Sequence, residues 1–206
     1  PQQVSSAASD VYKRQIGCYA QLKPKKISQI SGVDLVVGAD KKFDVLNYIN
    51  LNNKKNNNVH SCEINSVDFF KNSFSMGERT RSFLKVQDGC DYKCTYCTIP
   101  LARGKSRSGQ ILKLVENAKY LVSNGIKEIV LTGVNIGDFG IFDVNSGVKE
   151  SNFLELIEHF NKIRNLPRLR ISSIEPNLLS NEIIDFVISS KKFVNHFHIP
   201  LQSGSD

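Results

Sequence analysis

Cys90, Cys94 and Cys97 lie within eight residues of one another, in the spacing Cys-x3-Cys-x2-Cys. Three thiolates converging on one point repel each other unless a cation or an iron centre neutralises them. A structural zinc site takes four closed ligands, and nothing close to Cys97 supplies the missing pair. Four-iron clusters usually take four cysteines, so a three-cysteine loop leaves one iron open to a non-protein ligand. An iron–sulfur centre with an open iron is therefore the leading reading. A zinc-stabilised module without catalysis is the alternative from a different class.

The elements that must position these thiols form a βα alternation from residue 80 onward. Strands are expected at 83–87, 128–132, 168–173 and 197–201, and helices at 111–124, 152–165 and 180–190. Such alternation argues for parallel strands joined by right-handed crossovers. Active sites of barrels built this way collect at the carboxyl ends of the strands. The cysteine segment follows the first strand, 133–140 the second, 173–176 the third and 202–206 the fourth. Arg103, Lys105 and Arg107 alternate after the cysteines, as cations able to hold RNA phosphate or a cofactor carboxylate, or as an ordinary solvated loop.

Upstream the chain is less regular. Residues 16–50 read as the remainder of an α/β domain, with a short helix at 24–31, a buried strand in GVDLVVG at 32–38 and helical spacing over 43–51. Residues 51–79 are polar and weakly periodic, a linker in which SCEIN and VDFF could pair as short strands. His60 and Cys62 read there as surface residues. Residues 5–15, SSAASDVYKRQ, have no hydrophobic period and join IGCYAQ abruptly. They resemble the translated sequence of a transposase adapter used in DNA sequencing libraries, so residues 1–15 are read as a probable non-native segment and left out of the fold. A genuine amino-terminal tail is the alternative.

Longer words narrow the reading of the cysteines. GCYAQ at 17–21, KVQDGCDYKCTYC at 85–97, IPLARGKSRS at 99–108, GVNIGDFG at 133–140, RISSIEP at 170–176 and HIPLQSGSD at 198–206 resemble the radical S-adenosylmethionine methylthiotransferases that modify tRNA. The branch acting on threonylcarbamoyladenosine is the closest fit, and the resemblance covers residues 16–206. It implies an α/β chain: a partial radical-SAM (β/α) barrel, here 80–206, preceded by the end of the family's α/β amino-terminal domain.

The resemblance also implies roles. Cys90, Cys94 and Cys97 would hold a [4Fe-4S] cluster whose free iron chelates S-adenosylmethionine, with Tyr96 against the adenine. Gly133 and Asn135 would meet the methionyl amino group, and Ser173, Glu175, Gln202 and Ser203 the ribose or carboxylate. Turn chemistry alone also places Ser, Asn and Gly after strands. Cys18, which on its own reads as a buried small hydrophobe, would be a ligand of a second, auxiliary cluster whose two other cysteines are absent here. A reduced cluster would cleave S-adenosylmethionine to a radical that takes hydrogen from an adenine carbon, the auxiliary cluster would supply sulfur, and a second S-adenosylmethionine would methylate it. An electron-donor protein and tRNA are the implied partners. A sister branch acts on isopentenyl-adenosine in tRNA or on a ribosomal protein with the same chemistry.

Composition bounds these readings. The chain has 206 residues, 40% of them hydrophobic, and a formal charge of +7, of which Lys13, Arg14 and Asp10 contribute +1. That balance is compatible with a polyanionic partner such as RNA. The Asn/Lys-rich run at 51–58 accounts for two of the lysines as a solvated loop. No apolar run reaches membrane-spanning length, and no signal sequence opens the chain. Five cysteines, three of them clustered, suit a reducing cytoplasm rather than a disulfide scaffold. The stop inside HIPLQSGSD leaves at most four of six βα units, so the polypeptide as given is expected to fold poorly alone and not to complete methylthiolation.

Overall fold

The computed structural model describes residues 13–51, 58–77, 80–201 and 203–204. The chain divides into two compact units, Pro1–Val67 with Lys93–Gly104, and Asp68–Tyr92 with Lys105–Asp206.

The first unit contains a three-stranded parallel sheet in the order β1 (Arg14–Ile16), β2 (Leu35–Val37), β3 (Asn58–His60). The Leu-Val-Val run of β2 is wholly buried, as expected for a central parallel strand covered on both faces. Helices α1 (Cys18–Leu22) and α2 (Pro24–Ser28) contribute Ala20 and Ile27 to a small core with Val36, flanked by Val33 and Val59. Pro24 opens α2, where a missing N–H costs nothing. The spacing over 43–51 becomes a 3-10 turn at Lys41–Asp44 running into α3 (Val45–Leu51). Arg14 and Gln15, the end of the adapter-like segment, lie in β1, while residues 1–12 fall outside the described residues. The strand pairing expected of SCEIN and VDFF does not form. Instead Ser66 turns back on Glu63, its N–H and its hydroxyl both donating to that carbonyl, a local bond that competes with an extended ladder. Helix α4 (Ile99–Arg103) belongs to this unit and packs against α1.

The second unit carries the four-stranded sheet β4 (Ser73–Phe74), β5 (Arg81–Lys85), β8 (Glu128–Thr132), β9 (Leu169–Ile171), in that order. Strands β5, β8 and β9 are parallel, and β4 is an antiparallel edge. A two-stranded ribbon, β6 (Gln87–Asp88) and β7 (Arg107–Ser108), stands beside them in the sequence. The crossovers are α5 (Ile111–Ser123) and α6 (Phe153–Asn161), with α7 (Asn181–Ser189) after β9. Leu114, Ala118 and Leu121 recur at helical spacing on the buried face of α5, as do Phe153, Leu156, Ile157 and Phe160 on α6. These side chains and those of β8 make one continuous core.

The strand expected at 197–201 is absent. Among the described residues that segment makes a single parallel bridge, Ser173 opposite His198. Pro200 has no N–H to extend a ladder, and Leu201 remains 74% exposed.

Candidate cluster and cofactor site

The loops at the carboxyl ends of β5 and β8 are held by one side chain. Gln87 is fully buried. Its Nε2 donates to Asp88 O at 3.1 Å, Gly89 O at 2.8 Å and Ser106 Oγ at 3.0 Å. Its Oε1 accepts from the backbone N–H groups of Val134 and Asn135, each at 2.9 Å. A primary amide suits this position because it offers two donor hydrogens, one of them shared between two of the three acceptors, and two acceptor lone pairs on one flat head. Gln87 thereby fixes the backbone that leads into Cys90 relative to the loop after β8. Sequence reading passed over it, since its partners are backbone groups distant along the chain.

Gly133 faces that glutamine. A Cβ there would lie 2.9 Å from Gln87 Oε1, 3.1 Å from its Cβ and 3.3 Å from its carbonyl oxygen. The space that a side chain at 133 would need is thus filled by Gln87. Two residues on, Asn135 is 3% exposed, and neither its Nδ2 nor its Oδ1 has a hydrogen-bond partner. A buried amide with nothing to bond costs about 1–3 kcal/mol, and a polar ligand at these strand ends would remove that cost. Gly140 closes the loop with φ of +126° and its Cβ direction aimed into the Ser151 carbonyl, a conformation suited to glycine. Its N–H donates to Ser108 Oγ at 2.9 Å.

The cysteines fall on both units: Cys90 belongs to the second, and Cys94 and Cys97 to the first. None of the three is in a disulfide; Cys94 is exposed and the others are part-buried. Cys97 N–H donates to Cys94 O at 3.1 Å, a tight turn that leads into α4. Tyr96 between them is 82% exposed. Cys18 is free and exposed, at the start of the α1 helix on which α4 packs. Among the described residues no group of three His, Cys, Asp or Glu side chains is gathered closely enough to hold a metal ion. The cluster assignment therefore rests on the spacing of three thiols that no disulfide occupies.

The remaining sequence candidates are placed differently from one another. Lys105 is exposed and Arg103 part-buried, but Arg107 is 5% exposed. Its guanidinium donates to Phe69 O and Lys105 O, both at 2.9 Å, and pairs with Asp88 Oδ2 at 3.4 Å. This corrects the expectation that Arg107 lines the site mouth: it lies on β7, where it ties loops together from inside. Ser173 Oγ is 2.7 Å from His198 Nδ1, and Glu175 is part-buried ahead of a 3-10 turn at Pro176–Leu178. Ser203 is exposed, and Gln202 lies outside the described residues. In the first unit Cys62 is raised above its ordinary thiol range by burial, reinforced by its hydrogen bond to the Asp40 carboxylate.

Comparison with known proteins puts names to this geometry. The Radical SAM superfamily model matches residues 84–206. The chain is 39% identical over 194 residues to the threonylcarbamoyladenosine tRNA methylthiotransferase MtaB of Bacillus subtilis, covering 92% of this chain and 42% of that protein. It is 40% identical over 191 residues to the MtaB of Thermotoga maritima, with the same coverage. A tRNA-2-methylthio-N(6)-dimethylallyladenosine synthase of Thermodesulfovibrio yellowstonii matches at 30% over 191 residues, 92% of this chain and 42% of that one. The chain thus spans less than half the length of these curated relatives. Among solved structures, the radical S-adenosylmethionine methyltransferase TsrM of Kitasatospora setae covers 54% of this chain and 20% of its own, at 17% identity and a TM-score of 0.41, too distant to add to the argument. The parallel α/β sheet, the three-cysteine word that follows β5 in the sequence and a superfamily match over residues 84–206 agree: the chain belongs to the radical SAM superfamily.

Proposed function

We propose that this chain is part of a tRNA methylthiotransferase that modifies threonylcarbamoyladenosine next to the anticodon, with an electron-donor protein as its reductant. The observation that carries the reading is the 39–40% identity to two MtaB proteins over 92% of the chain, in a stretch that includes every cysteine. Cys90, Cys94 and Cys97 would hold a [4Fe-4S] cluster, three thiolates being the donor set that leaves one iron open. Cys18 would serve a second cluster. Bound there, cluster and S-adenosylmethionine supply radical-initiated removal of hydrogen from an adenine carbon.

The chain's own residues do the positioning. Gln87 holds the Gly89 and Gly133 loops in register, so the cofactor meets a preset backbone rather than one it must order. Asn135 offers a desolvated amide to the methionyl end, and Tyr96 an aromatic face to the adenine. Ser173, Glu175, Gln202 and Ser203 are assigned to ribose or carboxylate contacts, and Arg103 and Lys105 to RNA phosphate.

The test uses the full-length protein that contains this chain. Anaerobic reconstitution, iron counting and electron paramagnetic resonance should give a reduced-cluster signal that shifts with S-adenosylmethionine and is lost in Cys97→Ala. Nucleoside mass spectrometry should then find methylthiolation of threonylcarbamoylated tRNA. Sulfur entering only isopentenyl-adenosine tRNA or a ribosomal protein would move the assignment to a sister branch. One equivalent of zinc without iron or sulfide would overturn it.

A further inference from the structure

At the amino ends of the parallel strands, opposite the loops just described, lies an open pocket of about 290 Å³ lined by Thr80, Arg81, Lys127, Glu128, Pro167 and Arg168. We propose that this pocket is a binding site for a phosphate group. Its organising residue is Glu128, whose side chain is only 10% exposed. Three guanidinium groups converge on that carboxylate. Arg81 Nε is 3.1 Å and Arg170 Nε 2.9 Å from Oε1, while Arg168 Nη1 is 3.8 Å from Oε2. The sheet register enforces the gathering: Arg81 is the direct partner of Glu128 between β5 and β8, and Ile129 N–H donates to the carbonyl of Arg168 ahead of β9.

The amino-terminal face of such a sheet ordinarily serves stability, and one arginine would have neutralised one buried glutamate. Here three arginines and Lys127 stand against a single carboxylate. A carboxylate has about four lone-pair sites and each guanidinium five N–H donors, so most donors cannot be used within the group. Arg81 and Arg168 have side chains 50% and 61% exposed, and both line the pocket, as does exposed Lys127. Glu128 therefore works as an anchor that orients arginine forks whose free edges face the opening. Forks held in this way match a tetrahedral oxyanion through paired N–H···O bonds. The excess positive charge in a concave, partly desolvated place favours a dianion over chloride.

Isothermal titration with inorganic phosphate at low ionic strength tests the site, comparing wild type with Arg81→Gln/Arg168→Gln and with Lys127→Gln. The lysine variant leaves every Glu128 contact in place, so its effect cannot come from a lost fold. Saturable binding of one phosphate, weakened about tenfold or more in the double variant and measurably in Lys127→Gln, is expected for charge-assisted bonds. Absent binding, or an affinity that the variants leave unchanged in folded protein, overturns the proposal. A second arm distinguishes the source of the phosphate. If it belongs to an RNA backbone, the double variant lowers the slope of log affinity for bulk tRNA against log salt by roughly one unit. If tRNA binding is untouched while phosphate binding is lost, the ligand is a small phosphate-bearing molecule.

Discussion

Asn135 and Gln87 are both amides buried at the carboxyl ends of the sheet, yet only Gln87 has partners. Folding a bare amide into a dry place is a standing cost, and Asn135→Leu removes it while keeping the branched shape, with two bulkier methyl groups in place of the amide atoms. The cofactor-free Asn135→Leu protein should accordingly melt higher than wild type, while its affinity for S-adenosylmethionine falls. A lower melting temperature together with unchanged affinity would show the amide to be structural. Cys62 gives a second outcome at this scale. Its thiol holds its proton to higher pH than an ordinary thiol because burial and the neighbouring Asp40 carboxylate both disfavour the thiolate. Alkylation followed by mass spectrometry from pH 7 to 9 should therefore find Cys62 lagging behind exposed Cys94. Between the ordinary thiol value and the raised one, the unfolded chain has released a proton that the folded one keeps. Stability consequently falls as pH climbs through that window.

Among the elements, those with a hydrophobic period or a continuous apolar run were legible, short α2, β2 and β9 included, and the two-residue strands were not. The 128–132 strand and the 111–124 helix could be read because five consecutive strand residues and more than three helical turns leave a clear hydrophobic period. Strands β4, β6 and β7 have two residues each, too few for any period, and form only because tertiary partners complete them. Arg107 was misread for that reason: the alternating cations looked like a solvated loop, whereas β7 turns that side chain inward. The cysteine word stands out in the sequence because its spacing is close, whereas Gln87 does not, because its bonds span up to 48 residues. The start of α6 shows local chemistry that sequence does specify. Asn152 Oδ1 accepts the Glu155 N–H at 2.9 Å, an N-cap bond. Asn152→Ala should cost about 1 kcal/mol in chemical denaturation, and Asn152→Ser much less.

At the scale of the molecule, apolar burial is unequal. The core of the second unit joins more than twenty buried side chains from β5, β8, β9, the helices α5, α6 and α7, and the loops between them. That of the first rests on Ala20, Ile27 and Val36. Local opening follows buried contact density, so amide hydrogen exchange should find β8 the slowest segment and α1 to α3 among the fastest. Equal protection across both units would contradict this. No described helix is long and apolar enough to cross a membrane, and the surplus of cations is consistent with the phosphate groups proposed for Arg103, Lys105 and the Glu128 pocket.

The contact between Gly133 and Gln87 bears on inheritance. Two positions whose atoms already touch, 46 residues apart in the chain, are not free to drift separately. Gly133→Ala should cost about 1–3 kcal/mol by overpacking. Shortening the neighbour through Gln87→Ser should cost stability as well, but the pair together should lose less than the sum of the two, by about 0.5 kcal/mol or more. A strictly additive double-mutant cycle would count against the contact. A lineage could then acquire a side chain at 133 only after 87 had already become smaller, so the order of mutations, and not merely their identity, would decide which descendants keep a folded site.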